Sequence, residues 1–260
     1  MKVDPYELLV RWYLRFNGYL GVENFLVHQT VPSGNVQVEE IDILAVRFPH
    51  SREDPGFQIE PDPKLLDKRA VDHGLVDFVV AEVKGGQNDT LNKIWRQPAD
   101  SVKIERVGYV IRWLGALSDD LLIQKVATEL QASHSAQQDQ FLFRVVMFAH
   151  KVQPKLSLRQ LTFHDIADFL VNVRAQCWQD RGFGVRSPHN QWHPFIKEIW
   201  KIADPGAGPD SEGSVQAIVD HLEKAAEQRT IDGLPFRSWR NRSADSFRNW
   251  FREHARRHRA

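Results

Sequence analysis

The chain has 260 residues, 42% of them hydrophobic and 26% charged, and its 34 basic and 34 acidic side chains cancel to a net charge of zero. That is the make-up of a soluble globular protein with one large domain, or one domain and a small companion. No stretch approaches the roughly 20 apolar residues of a membrane span. The N-terminus lacks the apolar core of a signal peptide, and the single cysteine, Cys177, excludes an intramolecular disulfide, so a cytoplasmic setting is expected.

Residues 5–18 predict a helix. Asp4 can cap it, Pro5 suits its first position and Gly18 stops it. Leu8, Leu9, Trp12, Tyr13 and Phe16 recur at helical spacing as a core-facing stripe, with Glu7 at its edge. A hairpin is expected next, with strands over 25–31 and 36–48 and a turn between them. In its second strand Val36, Val38, Glu40, Asp42, Leu44 and Val46 fall on one face, so two acids interrupt an apolar row.

Residues 49–74, rich in proline, glycine and charge, read as an excursion carrying one short helix near 64–70. VDFVVAEVKGG, residues 76–86, follows. It is apolar on both faces until Glu82, the pattern of a central strand covered on both sides. Phe78, Val80, Glu82 and Lys84 share one face, and Asp77 lies on the other. A carboxylate and an ammonium at the end of such a strand are costly to bury unless they are paired or ligate something.

Beyond a polar loop, helices are expected over 99–115 and 119–133, the second capped by Ser118. A buried strand follows over 141–149, an edge strand over 158–163, and a helix over 164–177 capped by Thr162. The fold class is α/β. Residues 1–203, which end in a short helix near 194–202, form one domain. Residues 204–214 form a linker, and residues 215–260 a small helical, arginine-rich region.

If the strands bearing Asp42 and Glu82 are neighbours, two carboxylates and a nearby backbone carbonyl make an oxygen-rich site of the kind Mg²⁺ or Mn²⁺ prefers. A lysine beside such an ion can orient or activate water for phosphodiester hydrolysis. A helix with Glu7, a strand with Glu40-Ile41-Asp42, a strand with Glu82-Val83-Lys84 and a following helix together resemble the PD-(D/E)XK nuclease superfamily. The resemblance covers roughly residues 5–175. It implies a restriction-endonuclease-like αβββαβ core with a mixed central sheet. It also implies Mg²⁺-dependent (or Mn²⁺-dependent) cleavage of nucleic acid, DNA ahead of RNA, in defence or repair. Asp42 and Glu82 would be metal ligands with the Val83 carbonyl, Lys84 the catalytic lysine, and Glu7 the first-helix acid. Ile41 stands where the family often has proline, and the 49–74 excursion separates the motif halves more than in a compact member.

The competing reading of these residues is structural: Glu82 and Lys84 as an exposed edge-strand ion pair worth little, with Glu40 and Asp42 solvating a half-exposed hairpin. Functional alternatives are a catalytically silent module of the same fold that binds nucleic acid or protein, and a subunit active only with a partner. Gln97 falls where some family members carry a helical glutamine, although Pro98 beside it disturbs a helix. His189 and His193 have i,i+4 spacing without companion ligands, and Cys177 has no nucleophile signature. From 236 to 260 there are eight arginines against Asp245 and Glu253. Arg248, Arg252 and Arg256 could bind phosphates, while Phe247, Trp250 and Phe251 could stack on bases or dock a protein partner. A homodimer stays open. No phosphate-binding glycine loop is present.

Overall fold

A computed structural model of the chain describes residues 4–31, 34–51, 60–86, 90–179, 192–203, 211–228, 230–231 and 234–235. Helix α1 (Pro5–Phe16) starts as its sequence demands, with the Asp4 carboxylate accepting the Tyr6 N–H at 2.8 Å and proline in the first turn. Its stripe of Leu8, Leu9, Tyr13 and Phe16 is buried. Strands β1 (Leu20–Val31) and β2 (Gly34–Arg47) form the antiparallel hairpin. Helix α2 (Lys68–Asp72) leads into β3 (Val76–Lys84), which pairs antiparallel with β2. The excursion between the motif halves therefore leaves these two strands adjacent. It is tied down on α1: Tyr13 Oη donates to Asp62 at 2.7 Å, and the Asp62 N–H donates to Asn17 at 2.6 Å.

A 3-10 turn (Lys93–Trp95) precedes α3 (Ser101–Leu114) and α4 (Asp120–Ser133). Asp119, rather than Ser118, caps α4, accepting the N–H groups of Leu121 and Leu122. Its carboxylate reaches two orphan donors where a serine one residue earlier reaches neither. Strand β4 (Ser135–Gln138), too short and polar to be expected, forms a hairpin with β5 (Phe141–Ala149). Strand β6 (Arg159–Thr162) then enters α5 (Phe163–Gln179). Thr162 and Asp165 cap that helix reciprocally, Asp165 accepting the Thr162 N–H and Thr162 Oγ1 accepting the Asp165 N–H. Helices α6 (Pro194–Ile202) and α7 (Ser211–Gln228) follow, then the short pair β7 (Thr230–Ile231) and β8 (Leu234–Pro235).

The main sheet is mixed and six-stranded, ordered β1-β2-β3-β5-β4, with β6 also on β5. Strand β5 is parallel to β3 and to β6. One face carries α1, α5, α6 and α7, meeting the sheet at Ile43, Val79, Ala81, Val83 and Phe148; α7 adds Val215, Ile218 and Leu222 to this core. The other face carries α3 and α4 against Leu44, Phe78, Val80, Val145 and Met147. Central β3 is thus covered on both faces. Within the first layer, Arg144 grips Asp77 through two bonds of 3.0 and 2.6 Å, and Tyr19 Oη donates to the same carboxylate at 2.6 Å. Among the described residues no helix is long and apolar enough to cross a membrane.

Candidate active site

The site lies where the β2–β3 ladder ends. Pairs run from Arg47↔Asp77 to Ile43↔Ala81, and the next opposing residues are Asp42 and Glu82. On the other side, β1 pairs Glu23 with Ile43 and Phe25 with Ile41, skipping Asn24 opposite Asp42. Asn24 has φ 53°, a left-handed conformation that asparagine tolerates better than most residues. This kink breaks the alternation expected along β2: Ile43 packs beneath α1, but Ile41 joins Leu44 on the opposite side. At the break Asp42 does what a backbone carbonyl otherwise would. Its Oδ2 accepts the Val83 N–H at 2.7 Å. A strand residue sends its N–H and C=O to the same neighbour, so the Val83 carbonyl also faces the β2 side, towards Asp42.

Glu82 is fully buried (0% exposed), Lys84 is 3% exposed and Asp42 9%. That disposes of the exposed edge-pair reading. Lys84 Nζ lies 2.8 Å from Glu82 Oε2, 3.2 Å from Asn92 Oδ1 and 3.6 Å from Asp42 Oδ2. Glu82 is held from every side: Oε2 also accepts the Asn92 N–H at 3.3 Å, and Oε1 accepts Asn92 Nδ2 at 3.1 Å and Trp95 Nε1 at 3.0 Å. Asn92 Nδ2 further donates to the Glu40 carbonyl at 2.9 Å, tying the loop after β3 back to β2. Burial pushes the Glu82 carboxyl above its ordinary range; Lys84 opposes the shift and Asp42 adds to it.

Immediately after Lys84 the chain passes under an aromatic ring. A Cβ on Gly85 would lie 2.1 Å from Tyr6 Cδ2, so only glycine lets α1 approach this closely. Tyr6 packs edge-on to His150, whose Nε2 donates to the Gly85 carbonyl at 3.3 Å. The strand end bearing Lys84 is therefore fixed from α1 and from the end of β5.

Glu7, half-buried on α1, extends the acidity of this corner. Burial first, then Asp4, Asp42, Glu40 and Glu23, push its carboxyl up to about 9. Asp42 and Glu82 both face Lys84, and Asp42 and Glu40 also raise Glu7, so acids outnumber the one lysine here, a balance of the kind a divalent cation offsets. The donor chemistry also suits a hard cation: the carboxylates of Asp42 and Glu82 and the Val83 carbonyl supply oxygen. Among the described residues no group of three or more His, Cys, Asp or Glu side chains is arranged to hold a metal ion. In this conformation the lysine supplies the compensating charge.

Asp42, Val83, Glu82 and Lys84 are thus brought together, with Glu7 close enough to feel Asp42 and Glu40 electrostatically. Asp77 takes no part, being committed to Arg144. Gln97 is not helical: it precedes a cis proline, and its Nε2 donates to the Gln131 carbonyl at 2.7 Å. His193 caps α6, accepting the Phe195 N–H. His189, Arg248, Arg252 and Arg256 lie outside the described residues, as does the side chain of Cys177. Sequence reasoning missed Asn92 and Trp95. Neither stands at a fixed spacing from the strand, and the only hint was that a buried Glu82 needs donors which its own strand cannot supply. No protein-family model matches the chain, and no curated protein or solved structure matches it.

Proposed function

We propose that this chain is a metal-dependent nuclease of the PD-(D/E)XK kind, hydrolysing phosphodiester bonds in nucleic acid, with DNA the first substrate to test. The observation that carries the reading is the meeting of Asp42 and Glu82 around Lys84 at the end of a central strand, 3.6 and 2.8 Å from its ammonium. The chain order supports it: α1, three antiparallel strands, then helices and a strand parallel to β3 correspond to the αβββαβ core, with β4 an addition.

Asp42, Glu82 and the Val83 carbonyl would hold Mg²⁺ or Mn²⁺. Such an ion, when bound, polarises a phosphodiester and makes its water more acidic. Lys84 donates from the buried end of β3, so it can hold the attacking water against the phosphate and offset charge gathering on the phosphoryl oxygens. Trp95 and Asn92 fix the rotamer of Glu82 and keep water from its inner side. Glu7, its carboxyl pushed up to about 9, keeps its proton at neutral pH, and a cation bound nearby would favour its ionised form.

A specific observation favours a second reading, a silent binding module of the same fold. Both oxygens of Glu82 are already satisfied by N–H donors, so ligating an ion requires exchange of at least one. Cleavage assays separate the two. Purified protein is incubated with single- and double-stranded DNA and RNA in Mg²⁺, Mn²⁺ or EDTA, beside folded Asp42→Ala and Lys84→Ala variants. The nuclease reading expects cutting with metal that both variants lose. Binding without cutting under every condition supports the silent module, and metal-dependent cutting that survives in both variants removes the site assignment.

A further inference from the structure

The segment that holds Glu82 has a second side. Residues 90–97 turn Asn92 and Trp95 towards the acid and lysine, while Thr90, Leu91, Trp95, Arg96 and Gln97 line a cavity of about 480 Å³. Its other walls come from the end of α4, at Ala132 and His134, and from the loop after β5, at Gln153, Lys155, Leu156 and Ser157. The volume is that of a small-ligand site. No acidic residue occurs among the described residues that line it.

Its cations are uncommitted. Arg96 spends its Nε on the Leu91 carbonyl at 2.6 Å, which fixes the guanidinium at the rim. Its two terminal nitrogens have no partner among the described residues, nor do the ammonium of Lys155 and the hydroxyl of Ser157. In a chain whose charges balance overall, two exposed cations and a hydroxyl around a cavity with no acid among its described lining residues form a local positive field. The wall also has a polar edge. His134 Nε2 donates to the Trp95 carbonyl at 3.1 Å, and its Nδ1 has no hydrogen-bond partner among the described residues. Leu91 and Leu156 supply apolar surface between these groups.

We infer that this cavity is a nucleotide subsite: it takes one phosphate-bearing nucleotide of a single-stranded segment whose neighbouring phosphodiester lies at Asp42, Glu82 and Lys84. Arg96, Lys155 and Ser157 hold the phosphate, and the base occupies the cavity. The inference rests on the nuclease reading for its choice of nucleic acid. Trp95 is the shared wall, lining the cavity and donating to Glu82, so a nucleotide seated here abuts the residue that fixes the acid's rotamer.

The test is binding in EDTA, where cleavage plays no part. Fluorescence anisotropy of a labelled short single-stranded DNA is measured across a salt series for the full chain and for Lys155→Glu, Lys155→Gln and Arg96→Gln. Lys155 is exposed and has no partner among the described residues, so its variants should keep the fold. Each loss of a phosphate-bound cation should weaken binding about tenfold and lower the salt slope by about 0.7. Adenosine monophosphate should compete where adenosine does not. Unchanged affinity and slope in both Lys155 variants overturn the inference, and so does failure of the full chain to bind the DNA. If the parent never cuts yet its binding depends on Lys155, the subsite stands without the nuclease reading; if it cuts and binding ignores Lys155, the subsite alone falls.

Discussion

Replacing Glu7 with glutamine separates the electrostatics of the acidic corner from its chemistry. The Glu7 carboxyl is held up to about 9, by burial first and then by Asp4, Asp42, Glu40 and Glu23. In the unfolded chain it titrates near the ordinary value of about 4.3. The folded protein therefore binds this proton more tightly. The stability it confers is complete below the unfolded value and is lost as pH rises towards 9. Within that window each pH unit costs about 1.4 kcal/mol, so between about pH 6 and pH 8 the parent loses about 2.7 kcal/mol through this one group. Glu7→Gln, which cannot ionise, loses none of it. Urea unfolding followed by circular dichroism at both pH values in EDTA should show the difference between the two proteins growing by that amount in favour of the variant. Parallel losses would mean that Glu7 is an ordinary solvated carboxylate, and the negative surplus at the site would lose its main support. If a divalent cation binds there, saturating Mg²⁺ should flatten the parent's pH dependence, because the ion favours the ionised carboxylate.

Three further outcomes follow from contacts around the sheet. Arg144→Met strands Asp77 as a buried unpaired charge and should cost about 3–5 kcal/mol in urea unfolding; an unchanged midpoint would mean that Tyr19 alone satisfies Asp77. Gly85→Ala drives a methyl group into the Tyr6 ring and should destabilise by about 1–3 kcal/mol, with partial recovery when Tyr6 is shortened to leucine; no change in melting temperature would deny the close approach. Trp95→Phe keeps an aromatic ring but removes one donor to Glu82, for a loss of about 1–3 kcal/mol that Glu82→Gln should largely cancel in a double-mutant cycle. Simple addition of the two losses would show the bond to be incidental.

What the sequence made legible is what period and punctuation encode. Helix α1 announces itself through Asp4, Pro5 and an apolar stripe, and β3 through a run of residues apolar on both faces. The meeting of Asp42 with the Glu82–Lys84 end was expected only if their two strands are neighbours, and the antiparallel β2–β3 pairing meets that condition. The kink at Asn24 was not legible, since one left-handed residue leaves no trace in hydrophobic spacing, yet it turns Ile41 away from the face of Ile43. Asn92 and Trp95 were hidden for a different reason: a loop donates to a buried carboxylate by its path in space, and no period records that path. The polar SAQQ of β4 carries no strand signal of its own, since it is held by hydrogen bonds to β5.

The sharing of β5 bears on how this sheet can be extended. Residues Phe141 to Arg144 of its outer margin pair with β4, and Val146 to Ala149 pair with β6. Each covering strand is only four residues long, so neither offers an incoming chain a long row of free N–H and C=O groups. Strand β1, twelve residues long and with Leu20 and Val22 exposed, forms the opposite margin. Among the described strands, growth of the sheet by another chain has one favourable direction: outward from β1, on the side of the sheet away from β5.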